Sequence, residues 1–126
     1  YDIADSLILA EALVKAGVDI LDLSPSSYVA PGDRAAAFTQ LGVPVIAVNQ
    51  LDELPRALEV LNYGRADLVA VGRGLIADPA WPAKVRAGRE DTIVRCVRCD
   101  ECHADLRRGV AVRCAAWPTG AGDNAP

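Results

Sequence analysis

Four cysteines near the C-terminus are the residues of this sequence whose type and spacing most clearly suggest chemistry. Cys96, Cys99 and Cys102 are each separated by two residues, and Cys114 follows after eleven more. In an intracellular protein, closely spaced thiols favour ligation of a metal or cluster over structural disulfides. Three thiolates at this spacing can wrap a loop around one part of a cubane, and a distant fourth can close it. The spacing therefore predicts a four-iron four-sulfur (4Fe-4S) cluster on these cysteines.

Other interpretations of the cysteines stay open at the level of sequence. Structural zinc is one, although zinc sites more often use two separated pairs of cysteines. Inert or disulfide-bonded thiols are another. Cys99, Cys102 and His103 also spell C-x-x-C-H, a pattern typical of covalently attached haem. That pattern leaves Cys96 and Cys114 without a role and requires export, so we expect His103 to be a loop residue near the cluster or a hydrogen-bond donor to it.

Two turns that follow apolar runs are candidates for binding a phosphate group. Gly72, Arg73 and Gly74 follow one run, and Asn49 and Gln50 follow another. In parallel α/β barrels, the loops after the last two strands form a phosphate site together with a helix N-terminus. Gly72 would allow close approach of an anion, and Arg73 would supply a fixed fork of donors. The spacing is equally compatible with glycines that only turn the chain and an arginine that pairs with a neighbouring carboxylate.

Helical and strand patterns alternate along most of the chain. Apolar spacing and end signals predict helices over residues 5–16, 33–41, 51–64 and 76–88, and strands over residues 18–24, 43–49 and 67–74. Asp5 and Asp78 are the expected N-caps of the first and last helix, with Pro79 at the first helical position. A loop rich in Ser, Pro and Gly extends through Gly32, and an arginine-rich loop begins at residue 92. Short connections between alternating elements indicate βαβ units in a parallel sheet.

Composition limits the class of protein. The 126 residues are 52% apolar and 24% charged, which is typical of a globular domain. The net charge of -4 and the pI near 4.9 argue against a nucleic-acid partner. The apolar runs are far shorter than the ~20 residues of a membrane helix and no signal peptide is visible, so we expect no membrane partner and a cytoplasmic location. Because the chain lacks methionine, we expect it to be a processed or excised part of a longer protein.

The run DLVAVGRGLIADPAWPAK at residues 67–84, followed by the four cysteines, resembles a known family. It is similar to the end of the barrel in the NADH:flavin oxidoreductase (old yellow enzyme) family. The cysteine run resembles the iron-sulfur subgroup that contains 2,4-dienoyl-CoA reductase and trimethylamine dehydrogenase. The resemblance extends from about Leu7 to Pro118. It implies an α/β fold, namely the C-terminal portion (about three βα units) of a TIM (β/α)8 barrel followed by a cysteine-rich iron-sulfur segment.

Site residues follow from the resemblance position by position. Gly72 and Arg73 match the dipeptide that binds the phosphate of FMN, with Asn49 and Gln50 as further cofactor-binding candidates. The four cysteines match the ligands of the 4Fe-4S cluster. Asn49 stands where the family usually has glycine, and because asparagine tolerates a positive φ the turn is expected to persist. Trp117 stands where an asparagine usually precedes proline, a departure whose effect the sequence does not indicate.

The implied barrel is incomplete. A whole (β/α)8 barrel takes about 250 residues, and this chain would supply only the sixth to eighth strands. We expect a partial FMN-binding barrel over residues 1–91, a cluster segment over 92–118 and a flexible tail over 119–126. The family's catalytic proton donor lies on an earlier strand, so no catalytic residue is assigned. No G-x-G-x-x-G occurs, and FAD and NAD(P)H are implied for full-length members only.

In an intact enzyme of this kind, electrons from a reduced nicotinamide would pass through the cluster to FMN. The substrate would be a small molecule with an activated alkene, such as an enone or enoyl thioester, or a related compound. We expect the isolated chain to be inactive, because a partner chain or the missing N-terminal half is needed to complete the barrel. Two alternatives stay open: a non-catalytic four-cysteine interaction module that binds zinc or a cluster, and an inactive truncated relic.

Overall fold

The computed structural model describes residues 2–25 and 34–117. The chain divides into two compact units, Tyr1–Val71 and Gly72–Pro126. Most of the predicted loop through Gly32 lies outside the described residues, as do Pro118 and the predicted tail over 119–126. Within the described ranges, no helix is both long and apolar enough to cross a membrane.

A three-stranded parallel sheet organises the first unit. β1 (Leu21–Leu23), β2 (Val45–Ala47) and β3 (Leu68–Val69) lie side by side in chain order. The predicted parallel sheet is confirmed, but each strand is shorter than its apolar run. An apolar run reflects burial, whereas a strand also requires a hydrogen-bonded neighbour along its length. The Asp67 carboxylate accepts a hydrogen bond from the Val45 backbone N–H at 2.9 Å, which supports the register of β2 against β3.

A helix precedes each strand of the first unit. α1 (Ile3–Lys15) precedes β1, a 3-10 helix (Ala35–Leu41) precedes β2, and α2 (Leu54–Asn62) precedes β3. The prediction of Asp5 as the N-cap of α1 is wrong. Asp2 caps the helix, and the Asp5 carboxylate accepts from the Asp2 N–H in a capping box. The Asp2 carboxylate accepts from the Ala4 and Asp5 N–H groups, so the helix begins earlier than predicted.

Apolar side chains fill the interior of the first unit. Val45, Ala47 and Leu51 are at most 1% exposed. They belong to one buried cluster, whose other members are Ala10, Leu21, Ala35, Phe38, Ala57, Val60 and Ala66. Burying a valine, leucine or phenylalanine side chain contributes about 1.5–3 kcal/mol. The hydrophobic effect is therefore the main force that holds this unit together.

The second unit begins with a short helix that the sequence did not reveal. α3 (Arg73–Ala77) precedes α4 (Trp81–Arg86), and α4 is the helix that was predicted to begin at Pro79. Asp78 ends α3 in an extended conformation, with φ -139° and ψ 92°, because a residue that precedes proline avoids helical angles. Ala80 occupies the N-cap position of α4, so the predicted position of the cap is wrong. The Asp78 carboxylate nevertheless accepts from the Ala80 N–H at 3.1 Å and so caps this turn from two residues earlier.

A further helix lies within the segment that was predicted to be a loop. A 3-10 turn (Glu90–Thr92) leads towards α5 (Glu101–Arg108), whose sequence ECHADLRR is strongly polar and lacks apolar periodicity. The buried residues of α5 are Cys102 and Asp105, whose three-residue spacing places both on one face. Gly109 ends the helix with a φ of 67°, a left-handed conformation that glycine adopts without steric strain.

Candidate cofactor site

The structure places all four cysteines in the second unit as free thiols. Cys102 lies in the first turn of α5 and is buried, Cys99 is exposed, and Cys96 and Cys114 are half-buried. Among the residues that the structure describes, no three His, Cys, Asp or Glu side chains form a group that could hold a metal ion. The predicted ligands therefore share one short segment, but their sulfur atoms are not gathered into a ligand set.

Left-handed backbone conformations mark both predicted site loops. In the described ranges, the non-glycine residues with positive φ are Asn49, Gln50, Arg98 and Asp100. Such conformations cost of order 1–3 kcal/mol and persist where the surrounding structure imposes them, often at functional sites. Arg98 and Asp100 flank Cys99 with φ values of 55° and 60°.

A buried ion pair fixes the chain just before Cys96. The Asp78 side chain is 5% exposed, and its Oδ2 accepts from Lys84 Nζ at 2.5 Å and from the Val94 N–H at 2.8 Å. Lys84 Nζ also donates to the Thr92 carbonyl oxygen at 2.8 Å. Burial alone would raise the pKa of Asp78, but the hydrogen bonds from Lys84 and Val94 outweigh it and hold the pKa below its usual value.

An ion pair joins the Gly-Arg turn to the cysteine loop. Arg73 Nη1 lies 2.6 Å from Asp100 Oδ1. Asp100 occupies the N-cap position of α5, yet its carboxylate makes no capping hydrogen bond. The ion pair matches the alternative role considered for Arg73, which is pairing with a nearby carboxylate. It does not conflict with phosphate binding, since a guanidinium carries five N–H donors.

Asp105 fixes the chain just before Cys114. Its side chain is 1% exposed, and it accepts from Arg108 Nη2 at 2.5 Å and from the Arg113 N–H at 3.0 Å. Arg113 Nε lies 3.5 Å from the same carboxylate. The hydrogen bond from Arg108 and the contacts from Arg113 outweigh burial and hold the pKa of Asp105 below its usual value.

Trp117 fixes the chain just after Cys114. Its indole Nε1 donates to the carbonyl oxygens of Ile76 at 3.0 Å and Ala77 at 3.2 Å. These carbonyls lie in the last turn of α3, where helices leave backbone acceptors without a partner of their own. Trp117, which stands where the family usually has asparagine, thus has a structural role. Its indole ties the segment that carries Cys114 to α3, the helix that begins with Arg73.

The predicted phosphate-binding residues follow β2 in the first unit and begin α3 in the second. Asn49 has a φ of 99°, so the expectation that asparagine would keep this turn is confirmed. A Cβ atom at Gly72 would meet no heavy atom within 4 Å, so the backbone there borders open space that an anion can approach. Phosphate binding by Gly72, Arg73, Asn49 and Gln50 stays a prediction.

The side chains that tether the cysteine segment have no recognisable signal in the sequence. Asp105 and Arg108 form an i,i+3 pair, which is a recognisable signal only once α5 is known to be a helix. Lys84 lies six residues after Asp78 across a helix break, and this spacing carries no signal in a regular helix. Trp117 was noticed as a departure, but its partners are some forty residues away in sequence.

The fold is that of part of a TIM barrel. The solved structure of histamine dehydrogenase from Rhizobium sp. 4-9 matches 92% of this chain with a TM-score of 0.79 and 23% identity. That of 6-hydroxypseudooxynicotine amine oxidase from Pseudomonas geniculata N1 matches 91% with a TM-score of 0.78 and 24% identity. This chain covers 19% of each of those chains. At such identities the likeness shows the fold, and the predicted barrel portion is confirmed.

The family follows from the sequence itself. The profile of the NADH:flavin oxidoreductase / NADH oxidase family matches residues 15–92, which is more than half of the chain. The chain therefore belongs to that family, as the resemblance implied, and its relatives are oxidoreductases. The matched stretch includes Asn49, Gln50, Gly72 and Arg73 and ends before Cys96.

Similar proteins are several times longer than this chain. An NADH oxidase from Thermoanaerobacter brockii is 36% identical over 107 residues, which covers 73% of this chain and 16% of that protein. A cinnamate reductase from Clostridium sporogenes is 26% identical over 133 aligned residues, which covers 93% of this chain and 20% of that protein. The chain thus spans a fifth or less of the length of these relatives.

Proposed function

We propose that this chain is the cofactor-binding C-terminal part of an FMN-dependent, iron-sulfur-containing NAD(P)H:flavin oxidoreductase. The observation that carries the proposal is a segment with four free cysteines whose chain path is tied by Asp78, Asp105 and Trp117. Family membership supports the redox class. Similarity to a cinnamate reductase, whose named substrate contains a conjugated alkene, supports reduction of an activated alkene or a related small molecule.

The donor set suits an iron-sulfur cluster. Cys96, Cys99, Cys102 and Cys114 would hold it, since soft thiolates are the ligands that such clusters require. In the described chain, no three of these cysteines lie close enough together to form a ligand group. Ligands of this kind commonly come together only when the metal or cluster binds. The tethers act before that convergence, because they restrict the segments that lead into Cys96 and Cys114.

Gly72 and Arg73 would hold the flavin phosphate, with backbone N–H groups at Asn49 and Gln50 as further donors. When bound, the flavin supplies hydride transfer and the cluster supplies single-electron transfer. The part of this chain is to bind and orient the cofactors, and none of its residues is assigned a catalytic role.

We expect Arg73→Lys to weaken FMN binding by about tenfold, because lysine keeps the charge but loses the bidentate fork. Titration of flavin fluorescence measures this, with Arg86→Lys as the matched control.

The chain would complete its barrel with strands that precede β1. Ile8 and Leu9 on α1 are 69% and 61% exposed, and β1 is an edge strand of the described sheet. An exposed apolar helix face and an open strand edge are expected where a sheet continues. We therefore expect the isolated chain to show no sustained reduction of an enone with FMN and NADH. Turnover by this chain alone would contradict the assignment of catalysis to earlier strands.

Metal analysis of anaerobically prepared protein tests the cluster directly. The proposal predicts about four irons and four acid-labile sulfides per chain, with the visible absorption of thiolate-to-iron charge transfer. The second candidate function, a non-catalytic four-cysteine interaction module, is favoured by the exposed apolar side chains Val97 and Leu106 near the cysteines. It predicts one zinc per chain instead. Protein that contains neither metal contradicts both.

A further inference from the structure

Asp105 occupies an uncommon environment for a carboxylate. It lies within α5, a largely polar helix, and only 1% of its side chain is exposed. A buried carboxylate is unfavourable unless hydrogen bonds and opposite charges compensate it. The contacts that compensate it here show what this residue holds in place.

Two of these contacts differ in what they accomplish. The bond from Arg108 Nη2 at 2.5 Å stays within α5, so it can only support the helix. The bond from the Arg113 backbone N–H at 3.0 Å reaches beyond the end of α5 to the residue next to Cys114. One carboxylate oxygen thus accepts a hydrogen bond from within α5, and the other accepts one from the segment that follows α5.

The same carboxylate connects two of the four cysteines. Cys102 and Asp105 are three residues apart and are the buried residues of α5. Asp105 receives the chain one residue before Cys114. Eleven residues separate Cys102 from Cys114, and a free loop of that length does not define where its end lies. A tether at Arg113 removes most of that freedom.

We propose that Asp105 is the positioning residue for the fourth thiolate, because it docks the Arg113 backbone on α5 and so holds Cys114 beside the segment that carries Cys102. The inference rests on the proposed cluster site. Asp105 is not itself a ligand, since its oxygens are engaged by Arg108 and Arg113.

Loss of the fourth ligand has a signature that general destabilisation lacks. A cubane held by three thiolates readily releases one ferrous ion and becomes a three-iron cluster, and a one-electron oxidant then converts this cluster to a form with its own EPR signal. Poor folding instead lowers the amount of every cluster species together. The type of cluster therefore distinguishes a positioning role from a merely structural one.

The test compares Asp105→Asn with Cys114→Ser and with Asp91→Asn, which alters an exposed carboxylate of the same unit. Each full chain is reconstituted anaerobically with iron and sulfide, freed of excess iron and oxidised with ferricyanide. Its EPR spectrum and its iron retention against a chelator are then measured. We expect Asp105→Asn to give the three-iron signal of Cys114→Ser and to retain iron about tenfold less well than wild type. Asp91→Asn is expected to match wild type.

Tryptophan emission before reconstitution reports folding, since Trp81 and Trp117 both lie in the second unit. A four-iron cluster in Asp105→Asn, equal in yield to that of Asp91→Asn, overturns the inference and leaves the proposed function intact.

If Asp105→Asn does not fold, the variant Asp105→Glu, which keeps the charge, is used instead. A three-iron signal in Asp105→Glu supports positioning, whereas a four-iron cluster or a second failure to fold overturns it. Wild-type chain without iron and sulfide overturns both the proposed function and this inference.

Discussion

The two units of the chain are stabilised by different kinds of interaction. Among the described residues of Tyr1–Val71, the fully buried side chains are apolar, such as Val45 and Leu51. In the described part of the second unit, the buried side chains include the carboxylates of Asp78 and Asp105, each held by cations and a backbone N–H. Their charges differ as well. The first unit has four basic and ten acidic residues, and the second has nine basic and seven acidic residues.

This difference has a physical consequence for function. Apolar burial is non-directional, so it assembles a sheet without placing any one atom accurately. Hydrogen bonds to carboxylates depend on distance and angle, so they define where a segment of backbone lies. The second unit uses such bonds on the segments that lead into Cys96 and Cys114. Its surplus of positive charge also favours anionic ligands such as a phosphate or a thiolate-bound cluster.

The largest expected effect is the loss of the cluster from the second unit without a change in the first unit. Cys102→Ser should abolish the 4Fe-4S cluster, because serine replaces a buried thiolate ligand, while the sheet of the first unit persists. Iron and sulfide content, together with far-UV circular dichroism, measure both outcomes. Arg107→Gln alters an exposed residue of the same helix and should leave the iron content unchanged. Equal iron in wild type and Cys102→Ser would exclude Cys102 as a ligand.

The next effect falls on the first unit alone. Leu51→Ala removes a side chain that is 1% exposed and should lower the free energy of unfolding by about 2–5 kcal/mol. Denaturant unfolding followed by circular dichroism measures the loss. Leu58→Ala, at a position that is 45% exposed, should change stability by no more than about 0.5 kcal/mol. Similar losses for both variants would contradict the assigned core.

A smaller effect is expected from the polar tether of the second unit. Lys84→Met keeps most of the length of the side chain but leaves the Asp78 carboxylate without its cation, which should cost about 1–3 kcal/mol. Tryptophan emission during denaturant unfolding reports this unit, because Trp81 and Trp117 are the two tryptophans of the chain. Lys15→Met, which removes an exposed ion pair of α1, is the control. A matching tryptophan transition in both variants would show that the tether does not stabilise the unit.

The smallest effect is one of pH. Asp78 and Asp105 have pKa values lowered from 3.8, so the stability they contribute is complete above that pH and is lost as the pH falls through their lower folded values. Tryptophan emission should therefore be constant from pH 7 to about pH 4 and change below it. Lys84→Met should reduce the part of this change that arises from Asp78. A transition centred well above pH 4 would contradict the lowered pKa values.

Sequence patterns were informative where burial is periodic. The three apolar runs became the three parallel strands, and Asn49 adopted the positive φ that its residue type permits. The patterns failed where polar contacts decide the structure. α5 has no apolar stripe, and its buried Asp105 is held by polar contacts with Arg108 and Arg113.

Residue types and spacing alone were enough to identify the family, the parallel arrangement of the βα units and the four cysteines as one candidate ligand set. Each of these depends on local pattern, either apolar periodicity or short intervals between like residues. Only the tertiary structure showed that Asp105 meets the backbone of Arg113 and that Trp117 meets the end of α3. These contacts join segments whose distance in space is set by packing and hydrogen-bond geometry, for which sequence separation carries no signal.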